Sequence, residues 1–502
     1  MGQQRTGFFL FVRLFCTLGI VSAVLDSTRK FTVLRMRVQD RDQLQFLQSI
    51  YLNSTLYDFW KEPTQLEDTA DIMVREPLLD DFKNQLNKHN LTYKTIIDDV
   101  QSLIQRRTNE SLRRRPTHFD PSFRRVNFNL ARYHSFADMI NYLNGLAINY
   151  PDRVQVQPIG TTHEGRQIPL IKIGTRNGNT AKPAIWIDGG IHAREWVSPA
   201  AVLYFIDQLV TEYDTSPVIR QFVDQLDWFI APLSFKLRPR NTFVEKKSVT
   251  FAVHSSQHRC FYSAKNSMLP RSRYVPNSDS RNPNVSDLNR NFDWFFGQVG
   301  SSTDPCSEIY AGTFAFSEPE TRAIRDFVTS QSGRIKTFLT FHSYSQILMY
   351  PFGHALRTYP TDVDDLSSTA IRAAKALESM YGIKYTVGTD FCSGADTLYP
   401  ASGGSEDWAK GRMGIKYSYL FELRPDENVW DGFLLAENQI LPTSRETWEA
   451  VKTIAQQTLR FAGVRAASAV NLVVGQPKRE CRDLDQLCEY WARNGACNGE
   501  YC

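Results

Sequence analysis

The chain has 502 residues, of which 58 are basic and 54 acidic, and its net charge is +4. So small an excess of positive charge gives no reason to expect binding to nucleic acid or to a membrane surface. The chain is too long for one small domain and long enough to bury a large core.

The first 23 residues have the pattern of a secretory signal peptide. A basic start at Arg5 is followed by an apolar stretch and by the small residues Val21-Ser-Ala23. Arg13 interrupts the apolar stretch, which argues against a membrane span. We therefore predict that the protein is secreted and extracellular and that residues 1–23 are removed. Four Asn-x-Ser/Thr sequons are compatible with secretion: Asn53, Asn90, Asn109 and Asn284.

Residues 30–99 alternate between strand and helix patterns. In chain order, these patterns predict a strand over 31–38, a helix over 41–52, a strand over 71–75, a helix over 78–86 and a strand over 93–97. This order is typical of a small two-layer α+β open sandwich.

Residues 105–125 are polar and rich in arginine. Their composition predicts an exposed connector that a trypsin-like protease could cut. Pro116 would hinder a cut directly after Arg115, so the choice of bond stays open.

Strand and helix patterns continue to alternate from residue 133 to residue 463. A helix is predicted to begin at Ser198-Pro199, with the serine as its N-cap and the proline at its first position. Such alternation is typical of an α/β/α sandwich with helices on both faces of a mixed sheet. The strands predicted before and after that helix cover residues 155–159, 169–173, 184–188 and 226–231.

Residues that could bind a metal follow two of the strand patterns. The pattern over 184–188 is followed by two glycines and then by His192 and Glu195, three residues apart on one turn. An imidazole and a carboxylate in this arrangement could provide two ligands of a zinc ion, although the spacing alone arises by chance in many chains. A second strand pattern, over 335–341, ends at His342, which could provide the third ligand.

Taken together, these motifs resemble those of the secreted zinc metallocarboxypeptidases, the family of pancreatic carboxypeptidases A and B. The resemblance covers roughly residues 127–463. It implies one zinc ion in the catalytic domain, with His192, Glu195 and His342 as its ligands and one coordination position left for water. The segments that carry it are His192-Ala-Arg-Glu-Trp196, Asp287-Leu-Asn-Arg-Asn-Phe292 and Phe341-His-Ser-Tyr-Ser-Gln346.

The resemblance also implies roles for residues outside the metal motifs. Glu422, near the end of a strand pattern, would be the general base. Asn289 and Arg290 would bind the terminal carboxylate of the substrate, because a guanidinium can bind both of its oxygens. Arg194 would be a secondary substrate-binding arginine, and Tyr399 would be the family's mobile tyrosine. The implied substrates are the C-termini of peptides and proteins.

Glu406 stands where this family carries the residue at the floor of its specificity pocket. A carboxylate at that position would favour substrates that end in lysine or arginine. Two alternatives stay open: Glu406 could point to solvent, or the adjacent Asp407 could occupy the position.

The implied architecture is a mixed-sheet α/β/α catalytic domain preceded by a small α+β open sandwich. A signal peptide (1–23) would be followed by an activation segment (24–115), which covers the active site until a trypsin-like protease removes it. The catalytic domain would span 116–465, and a linker with a cysteine-rich tail would span 466–502. The alternative for residues 24–115 is an ordinary accessory domain.

The cysteines agree with an oxidising compartment. Eight are present, and seven remain once Cys16 leaves with the signal peptide. Cys306 resembles one half of a disulfide common in the family, and Cys260 would be its partner, which would leave Cys392 as a buried free thiol. The tail carries the other four, and it resembles the first half of a six-cysteine ShK-like module. A truncated or differently paired module of this kind could contact the extracellular matrix.

Residues 232–280 depart from the family pattern. Neither the family's Asn-Pro-Asp-Gly-Tyr turn nor its oxyanion-stabilising arginine is recognisable there, although Arg271 or Arg273 could take the arginine's role. Loss of an oxyanion donor costs about 10²–10³ in rate. Two functions therefore remain: an active secreted carboxypeptidase made as a zymogen, or a weakly active or inactive relative that serves as an extracellular matrix or binding protein.

Overall fold

The computed structural model describes residues 30–53, 56–113, 128–175, 182–232, 286–305, 307–389 and 400–464. All of them belong to one compact unit, Met1–Val464. Several predictions fall outside the described residues and stay predictions: the signal peptide, the thiol state of Cys392, the Cys260–Cys306 disulfide, the oxyanion candidates Arg271 and Arg273, the role of Tyr399, and the tail.

The N-terminal part is a four-stranded antiparallel sheet with strand order β2-β3-β1-β4. Its elements are β1 (Phe31–Arg37), α1 (Arg41–Asn53), β2 (Asp58–Lys61), β3 (Thr69–Arg75), α2 (Glu76–Lys88), β4 (Tyr93–Ile97) and α3 (Val100–Arg113). The predicted α+β open sandwich is confirmed, and the structure adds β2 and α3 to it.

Both faces of this small sheet are apolar, because successive side chains of a strand point to opposite faces. On one face, Leu34 and Ile72 pack in a cluster with residues of α1 and α2. On the other face, Val33 packs in a cluster that also contains Tyr344 and Phe433 of the larger part. The N-terminal part therefore completes its own core on one side and contacts the rest of the molecule with the other.

Helix α3 corrects the prediction of an exposed connector over 105–125. Residues up to Arg113 are helical, so the connector stays a prediction only for residues 114–125. Val100, Leu103 and Ile104 are buried at helical spacing against the face that contacts the larger part. These three apolar positions all lie in the first two turns. The arginine-rich sequence that follows them shows no apolar periodicity of this kind, so the sequence pattern did not predict the helix.

The larger part is built on an eight-stranded mixed sheet with strand order β11-β10-β12-β9-β7-β8-β6-β5. The four neighbouring strands β12, β9, β7 and β8 are parallel to one another. On one side, β10 pairs antiparallel with β12 and parallel with β11; on the other, β6 pairs antiparallel with both β8 and β5. The strands are β5 (Val154–Thr161), β6 (Gln167–Ile173), β7 (Ala184–Gly189), β8 (Asp227–Ala231), β9 (Ile335–Ser343), β10 (Ile347–Tyr350), β11 (Thr386–Thr389) and β12 (Tyr417–Leu423).

Helices cover both faces of the large sheet, which confirms the predicted α/β/α sandwich. One apolar cluster contains residues of five helices, α4 (Phe136–Asn149), α5 (Val197–Thr211), α6 (Pro217–Gln225), α8 (Val363–Tyr381) and α10 (Ile440–Phe461). The cluster on the opposite face contains residues of α7 (Pro319–Ser330) and α9 (Ser405–Gly411). Among the described residues, no helix combines the length and the apolar composition needed to cross a membrane.

The helix after β7 begins two residues earlier than predicted, at Val197 and not at Pro199. Because α5 starts at Val197, Ser198 lies in its first turn and does not cap it. The buried Ser198 hydroxyl instead accepts a hydrogen bond from the Gly190 N–H (2.9 Å) and donates one to the Phe341 carbonyl (2.5 Å). Gly190 has a φ of +68°, a conformation that favours glycine. The serine thus ties the turn after β7 to the neighbouring strand β9.

Candidate active site

The strand register places the predicted metal-binding and catalytic residues at one edge of the large sheet. In the parallel pair of β9 and β12, His342 lies directly beside Glu422. In the parallel pair of β7 and β9, Gly189 lies beside Phe341, and His192 and Glu195 follow on the turn after β7. Since parallel strands end at the same edge of a sheet, three distant segments of the chain meet there.

Two histidines and one glutamate form a compact cluster at this edge. The Nδ1 atom of His192 lies 2.7 Å from Oε1 of Glu195 and 3.2 Å from Nδ1 of His342. His342 Nδ1 lies 3.2 Å from Oε2 of the same glutamate. His342 and Glu195 are buried, and His192 is partly exposed.

The chemistry and spacing of the three donors fit a catalytic zinc ion. Two imidazole nitrogens and one carboxylate, with a fourth position left open, are a donor set found in zinc hydrolases. Metal–ligand bonds of about 2.0–2.1 Å in a tetrahedron place neighbouring ligands about 3.3 Å apart. The ligand atoms of this cluster all lie within 4.8 Å of one another, and the two ring nitrogens are 3.2 Å apart.

Asp287 holds the other nitrogen of His192, a role that the sequence analysis missed. Its Oδ1 lies 2.9 Å from His192 Nε2 and also accepts a hydrogen bond from the Asn289 N–H. A carboxylate at this position orients the imidazole of a metal-binding histidine. The signal was present in the sequence, because Asp287 is the first residue of the motif that carries Asn289 and Arg290.

The cluster attracts positive charge. Burial by itself would lower the pKa of His192, but the carboxylates of Glu195 and Asp287 outweigh burial and raise this pKa to about 10. Burial would raise the pKa of Glu195, but His192 and His342 lower it to about 2. Either a proton or a metal cation therefore finds a favourable potential at the ring nitrogens.

A cavity of about 320 Å³ opens beside the cluster and gathers most of the other predicted site residues. The predicted residues that line it are His192, His342, Glu422, Asn289, Arg290 and Glu406. Tyr51 and Glu62 of the N-terminal part line it as well, so that part of the chain closes the cavity on one side.

Backbone carbonyls hold the guanidinium of Arg290 in the cavity wall. Its Nε donates to the Gly300 carbonyl (2.9 Å) and its Nη1 to the Asn289 carbonyl (3.0 Å). The side-chain oxygen of Asn289 accepts a hydrogen bond from the Ser405 N–H (2.9 Å), which links the clamp motif to the start of α9. The two carbonyl partners of Arg290 are neutral, and the carboxylate of Asp287 lies 3.7 Å from its Nη1 atom.

The structure separates the two adjacent carboxylates of α9. Glu406 is 3% exposed and lines the cavity, so it does not point to solvent. Asp407 is turned away: its carboxylate accepts hydrogen bonds from the backbone N–H groups of Gly353 and His354 at 3.0–3.1 Å. Burial and the neighbouring Asp407 charge raise the pKa of Glu406 to about 8.

Arg194 is bound to the N-terminal part of the chain. Its Nη1 donates to Oδ1 of Asp58, the first residue of β2, at 2.9 Å. Its guanidinium carbon also lies 4.4 Å from the centre of the Phe433 ring. Burial would lower the pKa of Arg194, but Asp58 and other nearby acidic groups raise it above the ordinary value. The arginine predicted to bind substrate is therefore occupied by a carboxylate of the same chain.

Both the N-terminal part and the larger part of this chain are similar to known proteins. Residues 139–234 and 261–450 match the family model described as zinc carboxypeptidase, and residues 34–107 match the carboxypeptidase activation peptide. Carboxypeptidase A1 of Mus musculus is 35% identical over 449 residues, which cover 88% of this chain and 98% of that protein. Carboxypeptidase A1 of Bos taurus is 37% identical over 432 residues, which cover 85% and 93%.

Solved structures agree with these sequence matches. The crystal structure of thrombin activatable fibrinolysis inhibitor has a TM-score of 0.67 and 29% identity, and covers 86% of this chain and 99% of its own. Carboxypeptidase A from Helicoverpa armigera has a TM-score of 0.69 and 26% identity, and covers 87% and 99%.

The geometry of the cluster predicts that the full chain binds one zinc ion and that His342→Ala weakens this binding. Because the alanine removes a ligand, we expect the loss to exceed the 10–100-fold typical for removal of a hydrogen bond to a ligand. Competition against a chelating dye measures the affinity. His134→Ala is the matched control, since this partly buried ring stacks on Phe128 away from the cluster. Equal zinc affinity in the wild type and His342→Ala would contradict the prediction.

Proposed function

The chain belongs to the zinc carboxypeptidase family, and on this premise we propose that it is a secreted precursor which, once its activation segment is removed, releases C-terminal lysine or arginine from peptides and proteins. The observation that carries the proposal is one cavity that His192, His342, Glu422, Arg290 and Glu406 all line. The metal cluster and Glu422 would hydrolyse the amide bond, Arg290 would recognise the end of the substrate chain, and Glu406 would select a basic side chain.

Glu422 is the proposed general base. His192, Glu195 and His342 would hold the zinc ion, which would supply a Lewis acid able to lower the pKa of water and to polarise a carbonyl group. The Glu422 carboxylate accepts a proton from the attacking water and later passes it to the nitrogen of the departing residue. Its place beside His342 in the register of β9 and β12 supports this role.

Arg290 and Asn289 are the proposed binding site for the terminal carboxylate. A planar guanidinium can donate two parallel hydrogen bonds to the two oxygens of a carboxylate. An internal peptide bond has no such anion, so this pairing restricts the reaction to the last residue of a chain. Asp287 lies 3.7 Å from Arg290 Nη1 and is shared with His192, which ties the anion site to the metal cluster.

Glu406 is the proposed determinant of side-chain specificity. It lies in the wall of the same cavity among apolar groups such as Met349 and Leu420. The apolar stem of lysine or arginine fits such a lining, and its cationic end can pair with the carboxylate. The approach of the cation also favours the charged form of Glu406, whose pKa is raised in its absence.

The activation segment is proposed to inhibit the enzyme by occupying Arg194 and by closing the cavity. The Asp58 carboxylate holds Arg194, and further contacts fix the segment on the loop after β12. Lys61 pairs with Glu427 at 3.0 Å, and Arg107 pairs with Asp431 at 2.8 Å. A trypsin-like protease would cut the arginine-rich sequence that follows α3.

The second candidate function, a weakly active extracellular binding protein with a matrix-contacting tail, depends on residues 232–280. Beyond Pro232 these residues lie outside the described ones, so this candidate stays a prediction. Activity measurements on the cut protein distinguish the two candidates directly.

The proposed base predicts the effect of Glu422→Gln. After trypsin treatment and zinc loading, we expect the wild type to release arginine from a peptide C-terminus and the variant to lose about 10²–10⁴ in kcat. Both proteins should hold zinc equally well. Glu449→Gln is the control, because this carboxylate pairs with Lys452 on the partly exposed face of α10. Failure of the zinc-loaded, cut wild type to release any C-terminal residue would favour the second candidate.

The raised pKa of Glu406 predicts a pH-dependent preference. Its carboxyl is mostly neutral at pH 6 and mostly charged at pH 9, and only the charged form attracts a cation. The ratio of kcat/KM for C-terminal arginine over its neutral analogue citrulline should therefore rise with pH, by about tenfold or more given the strength of hydrogen bonds to charged groups. Glu406→Gln should make the ratio low and independent of pH. A pH-independent ratio in the wild type would remove Glu406 from this role.

The pair between Asp58 and Arg194 predicts that Asp58→Asn weakens inhibition. Hydrogen bonds between charged groups contribute about 1.5–3 kcal/mol, so the activity of the uncut chain on a small substrate should rise about tenfold or more. Glu67→Gln is the control, because it breaks an exposed pair with Arg37 inside the segment. Once fully cut, all three proteins should have the same activity. An uncut Asp58→Asn chain as inactive as the control would show that this pair does not hold the segment closed.

A further inference from the structure

A buried chain of hydrogen bonds ends on His342 from the side opposite the cavity. Asp188, near the end of β7, lies directly beside Thr340 in the parallel register with β9. The Thr340 hydroxyl is 2.7 Å from Asp188 Oδ1, and the indole N–H of Trp186 donates to Oδ2 of the same carboxylate at 2.6 Å. The Thr340 hydroxyl oxygen is also 3.3 Å from Nε2 of His342.

The single hydrogen of a hydroxyl group decides the direction of this chain. Asp188 presents a carboxylate, which is the stronger acceptor, so Thr340 donates its hydrogen to Asp188. The hydroxyl oxygen is then left to accept a hydrogen bond, and the donor is Nε2–H of His342. With its hydrogen on Nε2, the neutral imidazole has its lone pair on Nδ1, the atom that faces Glu195 and His192.

Strand geometry explains why a hydroxyl is needed between the carboxylate and the ring. Asp188 is level with Thr340, whereas His342 lies two residues further along the same face of β9, about 6.6 Å away at the usual rise per residue. All three residues are at most 1% exposed, so a lost hydrogen bond would leave a polar group buried. His192 differs in this respect, because Asp287 reaches its ring directly.

We propose that Asp188 and Thr340 are positioning residues that fix the tautomer and orientation of His342 for zinc binding. The proposal rests on the proposed role of His342 as a zinc ligand and adds two residues that contact neither metal nor substrate. It assigns each of the two histidines its own carboxylate, one acting directly and one through a hydroxyl.

The test compares Thr340→Val with Thr340→Ser in the full, uncut chain. Valine keeps the shape but cannot accept a hydrogen bond, and we expect zinc affinity to fall 10–100-fold; serine keeps the hydroxyl and should restore it. The visible absorption of the cobalt-substituted protein should change with valine and not with serine. Thr337→Val is the matched control, because this buried hydroxyl on the same strand bonds Thr458 away from the site.

The outcomes separate this proposal from the proposed function. If the wild type holds no zinc, or if His342→Ala keeps it, the ligand assignment fails. If those two proteins behave as expected and Thr340→Val binds zinc as tightly as Thr337→Val, the positioning role is overturned.

A measurement on the wild type covers the case in which Thr340→Val does not fold. The Nε2–H proton of His342 should then be detectable by magnetic resonance and protected from exchange with solvent. Rapid exchange of this proton would overturn the proposal.

Discussion

The parallel register of β7, β9 and β12 is the constraint on which the candidate site depends. Three segments, which together span more than two hundred residues of sequence, end at one sheet edge because their strands run side by side. A slip of one residue in either pair would turn His342 or Glu422 to the opposite face. The buried Ser198 hydroxyl adds a second tie, since it bonds both the turn after β7 and the backbone of β9. The site is therefore held by the core of the sheet, and the turn that carries His192 and Glu195 is fixed to that core.

The charge of Asp287 is a second feature that connects the parts of the candidate site. Asp287 acts on both the metal cluster and the anion site, because it contacts His192 and lies near Arg290. Burial alone would raise the pKa of the Asp287 carboxyl, but Arg290 and His192 outweigh burial, so this pKa falls well below its ordinary value. The two residues that it contacts, His192 and Arg290, both line the cavity. One carboxylate thus links the metal cluster to the proposed binding site for the terminal carboxylate.

Local patterns in the sequence predicted most elements of the fold, including the alternation of strands and helices and the strand ends that carry the metal motifs. What they missed depends on contacts between distant segments. Helix α3 was hidden because its few apolar positions are buried in a cluster formed by the small sheet and the larger part together. Ser198 has the sequence context of an N-cap, but its hydroxyl bonds a glycine turn and another strand. The partners of Arg194 and His192, Asp58 and Asp287, are 136 and 95 residues away, and no spacing rule connects them. The choice between Glu406 and Asp407 likewise needed the loop at 353–354.

The activation segment shows why an inhibitory domain needs both an apolar and a polar contact. Its sheet packs Val33 and Trp60 against Tyr344 and Phe433, and this non-directional burial supplies attraction without fixing a position. Directional contacts set the position: Arg35 donates to the carbonyls of Asn428 and Val429, and Asp58 binds Arg194. A cut after α3 changes none of these contacts. The same contacts hold the segment before and after the cut, so the free energy of its binding changes mainly because the chain connection is lost. Release then requires the folded segment to dissociate as a unit.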